Sequence, residues 1–245
     1  MPGNVVTMAR ARAITLGVAV FALVLLLASG PGTKAGLWPW TTALGFFKYA
    51  AYCGIAAAVA ALLLVVLLAV PRWRVRPWVP VLALCIALAA LAPPMILLSK
   101  AKSLPLIHDV STDVADPPAF VALLEARRQA PNGAAYGGPT VAAAQAQGYP
   151  DIKPILVKGA PREVMQRAID AARALGWEVV ASDATAGRIE ATDTTAFFGF
   201  KDDIVVRIRA QGDASRVDVR SVSRVGLSDV GANAKRIREF RARLT

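Results

Sequence analysis

No acidic side chain occurs in the first hundred residues of this 245-residue chain. All 17 Asp and Glu lie beyond that point, whereas Arg10, Arg12, Lys34, Lys48, Arg72, Arg74, Arg76 and Lys100 lie before it. The net charge of +11 is therefore a property of the front of the chain, since the remainder carries 20 basic residues against 17 acidic ones. That distribution is a membrane-topology signal and argues against reading the basicity as a nucleic-acid footprint. Histidine is nearly absent, with His108 alone, and cysteine is limited to Cys53 and Cys85, both within apolar runs. Disulfide scaffolds, zinc sites and thiol nucleophiles lack the residues they need. P-loop, dinucleotide, metalloprotease and nucleophile-elbow motifs are also missing, so no cofactor and no metal is implied.

What is abundant is apolar. Hydrophobic residues make up 56% of the chain and charged ones 18%, with a mean hydropathy of +0.48, too apolar for an ordinary soluble protein. Three runs account for it, near residues 13–29, 49–70 and 78–98. At 1.5 Å per residue the first just spans a ~30 Å hydrocarbon core. A cleaved signal peptide, ending near Ala28, Ser29 and Gly30, is its rival reading. The second run is longer, and Pro93 and Pro94 are expected to break the third near its end. None holds an ionisable group other than Cys and Tyr, which argues against a proton relay within the bundle.

Trp38, Trp40, Trp73 and Trp78 stand at the ends of these runs, where an indole keeps its ring in the interface and its N–H wet. Arg10, Arg12, Arg72, Arg74 and Arg76 fall on one side, and Lys34, Lys48, Lys100 and Lys102 on the other. The first side is then cytoplasmic. This predicts a multi-pass protein of the bacterial inner membrane, with its amino terminus inside and its carboxyl-terminal domain in the periplasm. Ala50, Gly54 and Ala58, and then Ala83 and Ala87, recur every four residues and permit close helix contact, within the chain or with a membrane-protein partner.

Residues 101–150 read as a linker with a short helix. Its first part, SLPLIHDVSTDVADPP, favours an extended course, and Phe120, Leu123 and Leu124 mark the buried side of the helix. Residues 131–150, rich in Gly, Ala and Gln, read as a loop. A compact domain over 151–245 follows. Pro161 suits a first helical position, and Val164, Ala168, Ala172 and Leu175 recur at helical spacing until Gly176. Period-two alternation over 188–194, 203–210 and 216–224 predicts half-buried antiparallel strands. Ser228 or Asp229 is expected to cap a last helix with Val230, Ala234, Ile237, Phe240 and Leu244 as its stripe. The fold class is α+β: an antiparallel sheet of about four to five strands packed by helices, behind three transmembrane helices.

The segments IHDVSTD, YPDIKP, GRIEAT, FFGFKDDIVVRI and RVDVRSVSRVGLSDVGANAKRI resemble the domain-of-unknown-function 1499 family across roughly residues 104–244. The resemblance implies shared Asp202, Asp203, Arg220, Ser221, Ser223 and Arg224, and implies no activity.

The solvent face of the sheet is predicted to hold Arg188, Arg207, Arg209, Arg216, Arg220 and Arg224 against Glu190 and Asp218, a surplus of four positive charges. Two occupants fit. One is an external anion, such as an anionic lipid or a cell-wall carboxylate, gripped by forked guanidinium groups. The other is internal, the linker's Asp109, Asp113 and Asp116 folded across the face. Candidate ligand-binding residues are Asp203, Arg207, Arg220, Ser223, Arg224 and Asn233. A hydrolase or transferase using Asp203 with Ser221 or Ser223 is an alternative, although neighbours on a strand point to opposite faces, so Asp202 and Asp203 are ill placed to act as a pair. A purely structural subunit of a membrane complex is another. Phe197, Phe198 and Phe200 close the core at a strand end or enter the membrane interface.

Overall fold

Apolar composition and length make the front of the chain helical. The computed structural model describes residues 2–67 and 77–245, and opens with α1 (Pro2–Lys34), α2 (Trp40–Leu67) and α3 (Trp78–Ser103). Each holds a stretch long and apolar enough to cross a membrane. Arg72, Arg74, Arg76 and Trp73 fall outside the described residues.

Two helices run further than their prolines predict. Pro31 lies inside α1, and Pro93 and Pro94 lie inside α3. A proline removes one N–H and crowds one carbonyl, which an apolar helix of this length tolerates when the flanking turns stay bonded. The small residues do meet: Ala19, Ala57, Ala61, Ala83 and Ala87 form one buried cluster, and a Cβ on Gly54 would lie 3.3 Å from the Ala87 carbonyl oxygen. Gly32 is a stricter case, because a Cβ there would run into the Trp38 ring, whose indole N–H donates to the Ser29 carbonyl at 3.1 Å.

The chain divides into two compact units, Met1–Ser99 with Phe197–Gly199, and Lys100–Ala196 with Phe200–Thr245. The second is the α+β domain. After β1 (Asp109–Ser111), α4 (Leu124–Arg128) and α5 (Gly138–Gly148) come β2 (Ile155–Lys158) and α6 (Pro161–Ala174). The meander β3 (Glu178–Asp183), β4 (Arg188–Thr194), β5 (Lys201–Gln211) and β6 (Ala214–Ser223) leads into α7 (Ala232–Leu244). The sheet runs β1-β6-β5-β4-β3, and β2 also pairs with β6. Six strands are thus present, all paired antiparallel. The additional one is β1, drawn from the linker. It takes the far end of β6, with Asp109 opposite Val222, while β2 takes the near end, with Ile155 opposite Val217.

Register assigns every side chain to a face, because directly opposed residues point the same way. One face carries Val217 and Val219 with Ile204, Val206, Ile208, Ile189 and Ala191. It packs on Val164, Ala168 and Ala172 of α6 and on Ala234, Ile237, Phe240 and Leu244 of α7. Trp177 stacks on Phe240 at 5.2 Å and 16°. The helix stripes match the sequence reading, but Val230 sits before α7 at φ +51°. Asp229 reaches past it to accept the amides of Gly231 and Asn233 at 2.9 and 2.8 Å.

The second face is also covered. Phe120 and Leu123 pack on Val205 and Val222 in a separate cluster. The sheet is therefore a middle layer, with α6 and α7 on one side and residues 112–136 on the other. Residues 138–148 form α5 where a loop is expected. The alanine run supplies helix propensity, and the buried Gln145 side chain accepts the Ser111 N–H at 2.9 Å and donates to the Ser111 carbonyl at 2.7 Å. That amide completes the outer edge of β1.

Candidate functional site

The candidate site residues divide between the two faces of the sheet. Asp203 opposes Val222 and Val205 opposes Arg220, so Asp203, Arg207, Arg220 and Arg224 share the face under residues 112–136. Ser221 opposes Ile204 and Ser223 opposes Asp202, so these serines point the other way, toward α7. Asp203 and the two serines are thus separated by the thickness of the sheet.

On the α7 side the polar residues form one closed network. Ser221 Oγ donates to Asn233 Oδ1 at 2.7 Å, and Asn233 Nδ2 donates to Ser223 Oγ at 3.1 Å and to the His108 carbonyl at 2.9 Å. Arg236 donates to Ser221 Oγ, Asp193 and Asp202 at 3.1, 2.8 and 2.6 Å. Ser221 and Asn233 have no exposed surface. Desolvation raises the Asp229 carboxyl above its ordinary range against the pull of its two amide donors.

On the other face the linker's aspartates lie across the arginines. Asp109 takes Arg220 in a bidentate pair at 3.0 and 2.7 Å, both groups buried. The Arg220 guanidinium lies 5.5 Å from the ring centres of both Phe120 and Tyr136. Burial, with the Asp109 charge, pushes the Tyr136 phenol up to about 12. Asp113 accepts from Arg207 at 3.0 Å and Arg216 at 2.7 Å, and Asp116 from Arg207 at 3.0 Å and Arg209 at 3.1 Å. Burial opposes charge on Asp113, yet the amides of Asp116 and Ala115 and the guanidiniums of Arg216 and Arg207 hold its carboxyl below the usual range. The surplus of positive charge read from the strands is offset in this way from within the chain.

Asp203, fully buried, accepts Thr192 Oγ1 at 2.9 Å, Arg224 at 2.9 and 2.8 Å, and Arg127 at 3.4 Å. The bond to Asp203 raises the Arg224 guanidinium, while burial lowers that of Arg127. Arg127, like Arg236 in the network on the other face, is absent from the residues expected from sequence. It lies in α4 with no exposed surface and also donates to the Val222 and Gly133 carbonyls. Its only signal is placement among Leu123, Leu124 and Ala126, on a turn otherwise read as amphipathic. Glu190, expected as an open-face charge, is buried, accepting the amides of Val121, Ala122 and Leu123 at 2.9 to 3.0 Å and pairing with Arg188 at 3.2 Å.

Beside these pairs the face is open at a cleft. A cleft of about 270 Å³ is lined by Asp116, Pro117, Pro118, Ala119 and Val121 from the covering segment, and by Ala186, Arg188, Val205, Arg207 and Arg209 from the sheet. Arg207 Nε is buried without a hydrogen-bond partner. Among the described residues no cluster of three or more His, Cys, Asp or Glu is arranged to hold a metal ion.

A family model described as "Protein of unknown function (DUF1499)" matches residues 109–244. Its first matched residue is Asp109, the start of β1, and its last is Leu244, the end of α7. No curated protein matches the chain.

Proposed function

The chain belongs to the DUF1499 family, and from that premise we propose that it is a membrane-anchored accessory component whose α+β domain binds a small anionic group. The cleft lined by Arg188, Arg207 and Arg209 is the observation that carries the reading. Guanidinium groups at the wall of this cleft suit planar oxyanions, whether a carboxylate or a phosphate of lipid or cell wall. Asp116, with a side chain 65% exposed, is the internal carboxylate at this opening. It is held by Arg207 and by the exposed Arg209, contacts that an incoming anion can replace because water readily takes up the displaced aspartate.

The deeper residues support structure. Asp203, Ser221, Ser223, Asn233, Arg220 and Arg224 have their polar atoms committed to one another, to Asp109, Arg127 and Arg236, or to main-chain groups. A nucleophile needs a base within hydrogen-bond reach, and Asp203 lies on the face opposite both serines. The imbalance of Lys and Arg supports an amino terminus in the cytoplasm and a domain beyond a bacterial inner membrane.

The test is titration of the full chain in nanodiscs with inorganic phosphate and with acetate, followed by NMR of arginine side chains. Arg209→Ala removes saturable shifts at Arg188 and Arg207, and Asp116→Ala strengthens them by vacating the cleft. Absence of saturable shifts in the unaltered protein, or identical binding in all three, defeats the proposal.

A further inference from the structure

Two leucines stand out of the α+β domain at one end of its sheet. Leu106 is 72% exposed and Leu227 is 77% exposed. Both leave the sheet where β1 begins and β6 ends, fixed by Asp109 opposite Val222. Their segments are bonded together: the Asp229 N–H donates to the Ile107 carbonyl at 3.0 Å. The loop after β6 is further held by Asn132, whose side-chain amide donates to the Ser223 and Gly226 carbonyls at 3.1 and 2.8 Å. Leu106 is flanked by residues that do pack inward, since Leu104 and Ile107 both join the main core. Neither leucine is thus displayed by loose chain. Each is an apolar tip on a tethered support, and its exposure to water costs free energy that burial would recover.

Chain connectivity says what lies close. The helix α3 has 26 residues, or about 39 Å at the helical rise, which exceeds a ~30 Å hydrocarbon core. Residues 100–103, with exposed Lys100 and Lys102, therefore reach headgroup level. Leu106 comes three residues later, within about 10 Å of extended chain. The exposed Lys201 opens β5 at this same end, its carbonyl accepting the Arg224 N–H at 3.0 Å. Leucine tips among lysines match the boundary between acyl chains and anionic headgroups.

We infer that Leu106 and Leu227 seat this end of the domain in the lipid interface, so that the domain rests on the bilayer surface in addition to being linked to it. The occupant is lipid and the site is distinct from the arginine cleft.

The experiment uses the full chain with Cys53 and Cys85 replaced by alanine, carrying a single environment-sensitive fluorophore at Leu106→Cys, Leu227→Cys or Leu156→Cys, in nanodiscs containing anionic lipid. Leu156, 61% exposed on β2 and opposite Arg216 near the start of β6, is the control at the far end. Labels at 106 and 227 shift to the blue and lose most of their emission to doxyl-labelled lipid, and the label at 156 does neither. Equal quenching at all three positions, or none at 106 and 227 in variants whose urea midpoint is unchanged, overturns the inference. So does shielding of these labels only in native membranes and not in nanodiscs, which would assign the surface to a protein partner.

Discussion

Removing the Arg220 guanidinium should cost the α+β domain a large part of its stability. In Arg220→Leu the Asp109 carboxylate stays buried in β1 with its bidentate partner gone, and the Pro118 and Ala134 carbonyls lose donors at 3.3 and 3.1 Å. Breaking a buried ion pair from one side costs about 3–5 kcal/mol, a large share of the 5–15 kcal/mol that ordinarily holds a domain together. Asp109→Asn should cost less, roughly 1–3 kcal/mol, because Arg220 keeps both carbonyls and both aromatic rings while losing a charged acceptor. Asp109→Leu with Arg220→Leu removes both charges, so its cost should fall well short of the summed single changes. Urea titration of the full chain in nanodiscs, read by pulse proteolysis, gives the measurement. With a slope of about 2 kcal/mol per molar, Arg220→Leu lowers the midpoint by about 2 M. A shift of only a few tenths molar, or additive single changes, would refute the reasoning that this buried pair ties β1 to β6.

Two further outcomes follow from local geometry. Gly187 sits at φ +60°, and an added Cβ would collide with the Ile208 carbonyl oxygen, so Gly187→Ala should cost at least the ~1–2 kcal/mol of a left-handed residue, with loss of amide protection along β4 and β5. Asp151 is depressed to about 2, chiefly by its hydrogen bonds from Arg238. A depressed carboxyl stabilises the folded state at pH values above the ordinary 3.8 and loses that contribution as pH falls through about 2. The pair is exposed, so the effect stays within about 1 kcal/mol. Carbon-detected NMR titration should find Asp151 back near 3.8 in Arg238→Gln.

Helix stripes and strand alternation were legible because α6, α7 and one face of β4 to β6 share the main apolar core, while the other face of these strands is largely charged. The covering layer was not, because its determinants are paired across the chain. Asp109 reads as a polar linker residue until the Arg220 side chain reaches it across the sheet face, and Gln145 reads as a loop residue until Ser111 lies alongside. Arg127 was hidden for the same reason: nothing in LEARR announces a carboxylate 76 positions further on. The candidate residues lie on β5, on β6 and just past it, and on α7, and register divides them between two networks. The Asp109, Asp113 and Asp116 alternative for the arginine face was legible from charge alone, since an uncompensated surplus on one surface asks for acids somewhere nearby.

Strand β6 holds β1 along one half of its edge, β2 along the other, and β5 on its opposite side. It is also almost the last piece of the domain to leave the ribosome. Until it is made, β1 has no neighbour to join, and closing the pairing of Asp109 with Val222 means bringing together positions separated by nearly half the polypeptide. Such late, long-range closure is slow and leaves unfinished edges exposed in the meantime. A chain cut short before Ala214 would consequently forfeit the pairing of β1 and β2, and a nascent one must wait for β6 before Asp109 can find Arg220.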